Sequence, residues 1–338
     1  MPIRMRPRLS LKDIIRANTN ILFFTLLISS GAMGQLAKRK VDALHLAWIK
    51  FNWVGDSLAN KYFDKLAITI PIQIDQLPYA FTAQLDLGAV NTMFYGKSIT
   101  PYLQLSPELS RKLDTTNRKA EENGIPCFFF HPINLTLDKV IFRDLWVENY
   151  SNFGDSLSSD DAKNATPKLI GTIAPDLFQN KYLIIDYPNQ RICLLDSLPG
   201  LIAQKTTFVP IKIRNGRIKI PFEVGSEEHD LLFDTGSSIF SVYSSAENST
   251  LFAGPGIPIS DTILGQTWGE KAAIYGKKMS TGVRLGKHKM PSALVYYKID
   301  KNEKKFEDEE SIIGLTGNAY FLKNIIIIDY RNKRFGVI

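Results

Sequence analysis

The chain has 338 residues, 44% of them hydrophobic and 22% charged. This is an ordinary globular mixture, long enough for two cores, and it excludes one small domain, a collagen-like repeat and a low-complexity tail. The net charge is +7, but residues 1–34 hold Arg4, Arg6, Arg8, Lys12 and Arg16 against Asp13 alone, which leaves +3 for the remainder, so no nucleic-acid partner is expected.

In chain order, a basic stretch precedes the apolar run Ile21–Ile28, which is followed by Ser29, Ser30, Gly31, Ala32, Met33 and Gly34. This is the pattern of a signal peptide over 1–34, cut before Gln35. The apolar run is about half the ~20 residues that a membrane span needs. The chain is therefore expected to be exported, secreted or periplasmic, with no stable span after cleavage. No Cys follows the run, which argues against a lipid anchor. Residues 35–65 form an N-terminal extension. In it Lys38-Arg39-Lys40, Lys50, Lys61 and Lys65 accompany Trp48, Phe51, Trp53, Tyr62 and Phe63, which predicts an arm packed on the body rather than a basic prosegment.

No long periodic helix is evident after residue 65. Short β-branched and aromatic runs broken by Gly, Pro, Asn and Asp predict a mainly β protein. The chain also repeats itself. Leu169-Ile170-Gly171, Phe178, Ile184-Ile185-Asp186-Tyr187, Asn189 and Arg191 recur as Ile312-Ile313-Gly314, Phe321, Ile327-Ile328-Asp329-Tyr330, Asn332 and Arg334, each displaced by 143. Upstream, Ile70-Pro71-Ile72 leads to Leu85-Asp86-Leu87-Gly88-Ala89, and Ile220-Pro221-Phe222 leads to Phe233-Asp234-Thr235-Gly236-Ser237. Each copy thus has an apolar strand ending in Asp-x-Gly, with a hydrophobic-hydrophobic-Gly following 85 or 80 residues later. Pro199 and Gly200 mark the junction, giving lobes at 66–200 and 201–338.

A pair of Asp side chains has a definite chemistry. Two carboxylates about 3 Å apart repel by ~5 kcal/mol at an effective dielectric near 20, so one keeps a proton near neutrality. The ionised partner can then take a proton from water while the neutral one donates to a carbonyl oxygen. Other chemistries lack their residues. There is no G-x-S-x-G, no H-E-x-x-H, no C-x-x-C and no phosphate-cradling Gly loop, and the four His are dispersed. No metal is expected. Cys127 and Cys193 are either a disulfide or two buried small apolar residues. Asp186 and Asp329 each end an apolar run before a turn and are expected to be structural. Lys298–Glu310 is expected to be a solvated insertion.

Together these residues resemble the pepsin-like, two-lobed aspartic proteases, with a flavour of the shorter retropepsin-like domains, over about 66–338. Phe233-Asp234-Thr235-Gly236-Ser237-Ser238 is similar to that family's active-site loop, and Ile312-Ile313-Gly314 to its companion Gly turn. The resemblance implies a mainly β, bilobal fold of two homologous β-barrel-like lobes around a cleft. It implies an aspartic endopeptidase with catalytic Asp86 and Asp234, supported by Gly88, Thr235, Gly236, Ser237, Gly171 and Gly314. No cofactor is implied, the substrate is an extended peptide or protein, and the chain is a monomer.

In that family the loop Thr reaches across to the opposite loop. Leu87 takes its place in the first loop, leaving Thr235 to grip a backbone group from one side only. Ala89 stands where pepsins commonly carry Ser or Thr. Losing that donor raises the pKa of Asp86 and predicts a less acidic optimum. A flap is expected between Asp86 and Cys127, where Arg111–Pro126 is polar and carries Asn123-Gly124 but no Tyr at a flap position. The competing expectation is a catalytically inactive fold that binds a peptide or protein, favoured by Leu87 and the missing flap Tyr.

Overall fold

The computed structural model describes residues 45–58, 61–116, 120–122, 125–267 and 270–338. The expected signal peptide, Lys38-Arg39-Lys40 and the Asn123-Gly124 turn lie outside them. The chain forms a main unit, Leu46–Leu198 with Thr206–Val337, and a small second one whose described part includes the helical turn Gly200–Ala203. Both copies of the repeat lie in the main unit.

The repeat organises a six-stranded sheet. Its two central strands, Tyr182–Asp186 and Ile325–Asp329, are buried at every residue, as continuous apolar runs covered on both faces should be. They pair antiparallel with Ile184 opposite Ile327. These two residues are equivalents under the 143-residue displacement, so each copy meets the other at its own equivalent position, the signature of a local two-fold axis. Arg191–Leu195 and Arg334–Val337 flank them, and Ile49–Lys50 and Thr207–Pro210 form the edges. Asp186 and Asp329 are fully buried and close the following turns. Asp186 accepts from Asn189 and Arg191, and Asp329 from Asn332 and Arg334.

The other two sheets hold the remainder of each copy, and here the expected architecture is corrected. Of the described residues 16% are helical and 48% are in strands, a mixed α/β fold rather than a mainly β one. The large ten-stranded sheet runs from Ile259–Thr267 at one edge to His288–Lys289 at the other without closing. The nine-stranded sheet differs from it. Its path runs from Asn52–Leu58 to Leu113–Asp114, with a further short pairing of Gln73 to Thr136 and Ile74 to Leu135. Two homologous β-barrel-like lobes are therefore not what the chain builds, and the pepsin-like, retropepsin-like and aspartyl-protease descriptions that presuppose them do not carry over.

Part of the difference is helical. Gly96–Leu105 forms a helix, and so does Lys301–Glu310 within the segment expected to be a solvated insertion. The Asp300 side chain caps the latter by accepting from the Asn302 amide at 2.9 Å, and Lys304–Asp308 and Lys305–Glu309 pair one turn apart. Its Glu307 is buried and accepts from the Ser245 amide at 2.6 Å and the Asn248 side chain at 2.7 Å, pinning the helix to the sheet.

The N-terminal arm is integral to the body. Strand Lys61–Ile74 runs across the expected junction at 65, and Asn52–Leu58 pairs with it. Phe51 is buried, Trp53 stacks on Tyr187 with ring centroids 6.2 Å apart, and the Arg191 guanidinium lies 4.0 Å over Trp48. At the other end of the hairpin Lys61 pairs with Asp261 at 2.6 Å. One contiguous core runs through both copies, from Ile68 and Ile70 to Phe335 and Val337.

Candidate active site

Each Asp-x-Gly loop follows a buried strand and is pinned by a parallel neighbour. Phe81–Leu85 runs parallel to Lys168–Ile173, and the Asp86 amide donates to the Ile173 carbonyl at 3.0 Å. Glu227–Phe233 runs parallel to Leu315–Thr316, and the Asp234 amide donates to the Thr316 carbonyl at 2.9 Å. Gly171 and Gly314 sit where those neighbours cross another strand. A Cβ would fall 2.2 Å from the Met93 carbonyl oxygen at Gly171 and 2.5 Å from that of Tyr243 at Gly314.

The two loops face each other reciprocally. A Cβ on Gly88 would lie 2.4 Å from the Asp234 carboxyl carbon, and one on Gly236 would lie 2.6 Å from Asp86 Oδ2. Each carboxyl group thus rests over the other loop's glycine, a place no larger residue leaves open. Asp86 Oδ1 accepts from the amides of Gly88 at 2.9 Å and Ala89 at 3.2 Å. Asp234 Oδ1 accepts from the Gly236 amide at 2.8 Å, and Oδ2 from the Ser237 hydroxyl at 2.7 Å. Burial holds the Asp86 carboxyl well above the usual carboxylate range, the neighbouring Asp234 carboxyl pushes the same way, and the Gly88 and Ala89 amides pull back.

Thr235 ties the loops together. Its fully buried hydroxyl donates to the Leu85 carbonyl at 2.7 Å and accepts from the Leu87 amide at 2.9 Å. Leu87 makes no reciprocal tie and instead joins the hydrophobic core.

No family model and no curated protein matches the chain.

Several groups that the sequence reasoning passed over surround the pair. Tyr95 shares a 2.7 Å hydrogen bond with Thr172, and burial pushes its hydroxyl up to about 12, with the Asp86 charge contributing. Behind the first loop Asp176 accepts from the Thr92 hydroxyl at 2.6 Å and amide at 3.0 Å. Behind the second, Asn318 bonds to Thr235, Ser238 and Tyr187. Asp176 and Asn318 both lie on the short turn between the Gly strand and the repeated Phe178 or Phe321. A polar residue there in each copy, offset by one position, was the available signal.

Other expected features fall elsewhere. Cys127 and Cys193 are both buried and not joined to each other, so the disulfide alternative does not apply. Among the described residues no three His, Cys, Asp or Glu side chains are grouped to hold a metal ion. Strand Ala120–Glu122 pairs with Ile125–Cys127 in the stretch where a flap was expected. Two surface concavities, of about 330 and 810 Å³, are lined by neither Asp86 nor Asp234. No helix among the described residues is long and apolar enough to cross a membrane.

Proposed function

We propose that this chain is an endopeptidase that hydrolyses peptide bonds with a water activated between Asp86 and Asp234, without a cofactor. The reading is carried by one observation, the reciprocal seating of each carboxyl group over the other loop's glycine. It rests on this local chemistry and not on a family architecture.

In the proposed cycle Asp86, whose carboxyl is raised, is the acid, and Asp234, which accepts from the Gly236 amide and the Ser237 hydroxyl, is the base. A water between them loses a proton to Asp234 as its oxygen bonds to the substrate carbonyl carbon. The carbonyl oxygen takes the Asp86 proton, giving a neutral tetrahedral diol with no covalent link to the enzyme. Asp234 then returns its proton to the amide nitrogen as the C–N bond breaks, and Asp86 recovers one from a diol hydroxyl. Both groups end as they began. Placing the pair in a partly buried site strengthens each of these contacts relative to open water. The substrate is an extended peptide held through its main chain, and the enzyme acts after export, a reading supported by the N-terminal basic, apolar and small-residue segments.

The second reading is a silent peptide- or protein-binding module. It is favoured by Leu87, which leaves the loops tied from one side only. Peptide hydrolysis by the full chain across pH 3 to 8, beside Asp234→Asn, separates the two. Cleavage by the wild type that the Asn variant lacks supports the enzyme. Equal rates, or no cleavage together with saturable peptide binding, overturn it.

A further inference from the structure

We propose that Tyr187 and Asn318 are positioning residues for the reaction, a buried relay by which the first copy of the repeat holds the active-site loop of the second. The inference rests on the hydrolytic reading above. Asn318 is fully buried, so water does not complete its hydrogen bonds. Its Nδ2 donates to the Thr235 carbonyl at 3.1 Å and to Ser238 Oγ at 2.9 Å. A carbonyl only accepts, so the amide nitrogen must face Thr235 and Oδ1 must face away. There Oδ1 needs a donor, and the Tyr187 hydroxyl supplies one at 2.6 Å. Tyr187 therefore fixes which way the Asn318 amide points.

That orientation reaches the reacting atoms. Thr235 and Ser238 bracket Gly236 and Ser237, the two residues that donate to the Asp234 carboxylate. Thr235 also carries the hydroxyl that ties the second loop to the first. Asn318 thus clamps both ends of the segment that sets the position of Asp234. Tyr187 itself follows the central strand Tyr182–Asp186 and is held by its stack on Trp53.

The repeat supplies an internal comparison. The 143-residue displacement pairs Tyr187 with Tyr330 and Asn318 with Pro175. Pro175 offers no side-chain donor, and the buried Tyr330 hydroxyl has no hydrogen-bond partner. The two tyrosines occupy equivalent places in the core, yet only Tyr187 is wired to an Asp loop. A merely structural tyrosine would behave alike in both copies.

The test compares Tyr187→Phe, Tyr330→Phe and Asn318→Asp with the wild-type full chain, with Asp234→Asn as the chemical control. Each is assayed where urea unfolding shows it fully folded. Tyr187→Phe should lower kcat by ~10- to 100-fold with little change in KM, since a misplaced reacting group costs rate more than binding. It should also shift the carboxyl titration of the Asp pair, followed by NMR on Asp-labelled protein. Asn318→Asp keeps the acceptor for Tyr187 but loses both donors and should do the same, whereas Tyr330→Phe should match the wild type in both measurements. Equal effects of the two Tyr→Phe changes on kcat and on the titration would overturn the relay. If Asp234→Asn stays active the hydrolytic reading fails instead, and if no variant cleaves peptide the titration alone decides the relay.

Discussion

Replacing Thr235 by Val keeps the shape of the side chain and removes only its hydroxyl. The structure gives that hydroxyl two bonds across the loops, to Leu85 at 2.7 Å and Leu87 at 2.9 Å, at a site with no solvent exposure. A buried hydrogen bond contributes ~1 kcal/mol net, and a buried amide left without its acceptor costs a further ~1–3 kcal/mol. Two bonds and one stranded amide give an expected loss of ~3–5 kcal/mol, a large part of the ~5–15 kcal/mol that holds a typical domain folded. Urea unfolding should show a lower midpoint with an unchanged slope, because the surface exposed on unfolding is the same. The tie also sets how the two carboxyl groups face each other, so kcat should fall more than stability alone explains. Thr235→Ser keeps the hydroxyl and should recover most of both. A Val variant within ~0.5 kcal/mol of the wild type, the range of ordinary surface changes, would refute the role assigned to this tie.

Gly88→Ala and Gly236→Ala place a methyl group 2.4 Å from the Asp234 carboxyl carbon and 2.6 Å from Asp86 Oδ2, so the carboxyl groups must part. Peptide cleavage should drop by ~100-fold or more in chains that circular dichroism shows folded. The raised Asp86 pKa has a stability consequence of definite sign. Its contribution is complete below the unfolded value of ~3.9 and is lost as pH rises through the folded value, so the Asp86 carboxyl opposes folding at higher pH, where the unfolded chain ionises it freely. Asp86→Asn should then melt higher relative to the wild type at pH 8 than at pH 4 in paired thermal scans. Glu307→Ala strands the Ser245 amide and the Asn248 side chain and should cost ~2–4 kcal/mol in urea unfolding. Ala89→Ser supplies Asp86 with a hydroxyl like the one Ser237 gives Asp234, and the pH profile of cleavage should move toward acid.

The approach of the two Asp-x-Gly loops was more legible in the sequence than the fold around them. Asp86 and Asp234 could be named because duplication repeats Asp-x-Gly and the following Gly strand at nearly constant spacing, and that spacing survives loop insertion. The one-sided tie of Thr235 followed from Leu87 alone, since a hydrocarbon has no hydrogen to offer. Sheet closure was not legible. Strand residues declare themselves by composition, but whether an edge such as Ile259–Thr267 finds a further partner depends on register between distant segments. The helix Lys301–Glu310 was hidden by its charge, although the Asp300 cap and the charges spaced four apart were there to be read. Tyr187 and Asn318, 131 residues apart, gave no local sign of their contact.

The two halves of the site share a backbone and differ in side chains, and the difference divides the labour between the carboxyl groups. Both Asp amides are pinned alike, at 3.0 and 2.9 Å, and both Oδ1 atoms accept a glycine amide, at 2.9 and 2.8 Å. A strictly symmetric pair would have no reason to keep its proton on one side. The second loop adds a hydroxyl from Ser237 to Oδ2, where the first has only the longer 3.2 Å contact from the Ala89 amide to Oδ1. A short bond from a hydroxyl favours the charged carboxylate it meets. The second loop therefore gives its carboxyl group a stronger donor than the first, in keeping with the proposed roles of Asp234 as base and Asp86 as acid. Thr235 and Asn318 reinforce the same loop, so the carboxyl group proposed as the base is also the one braced by more contacts.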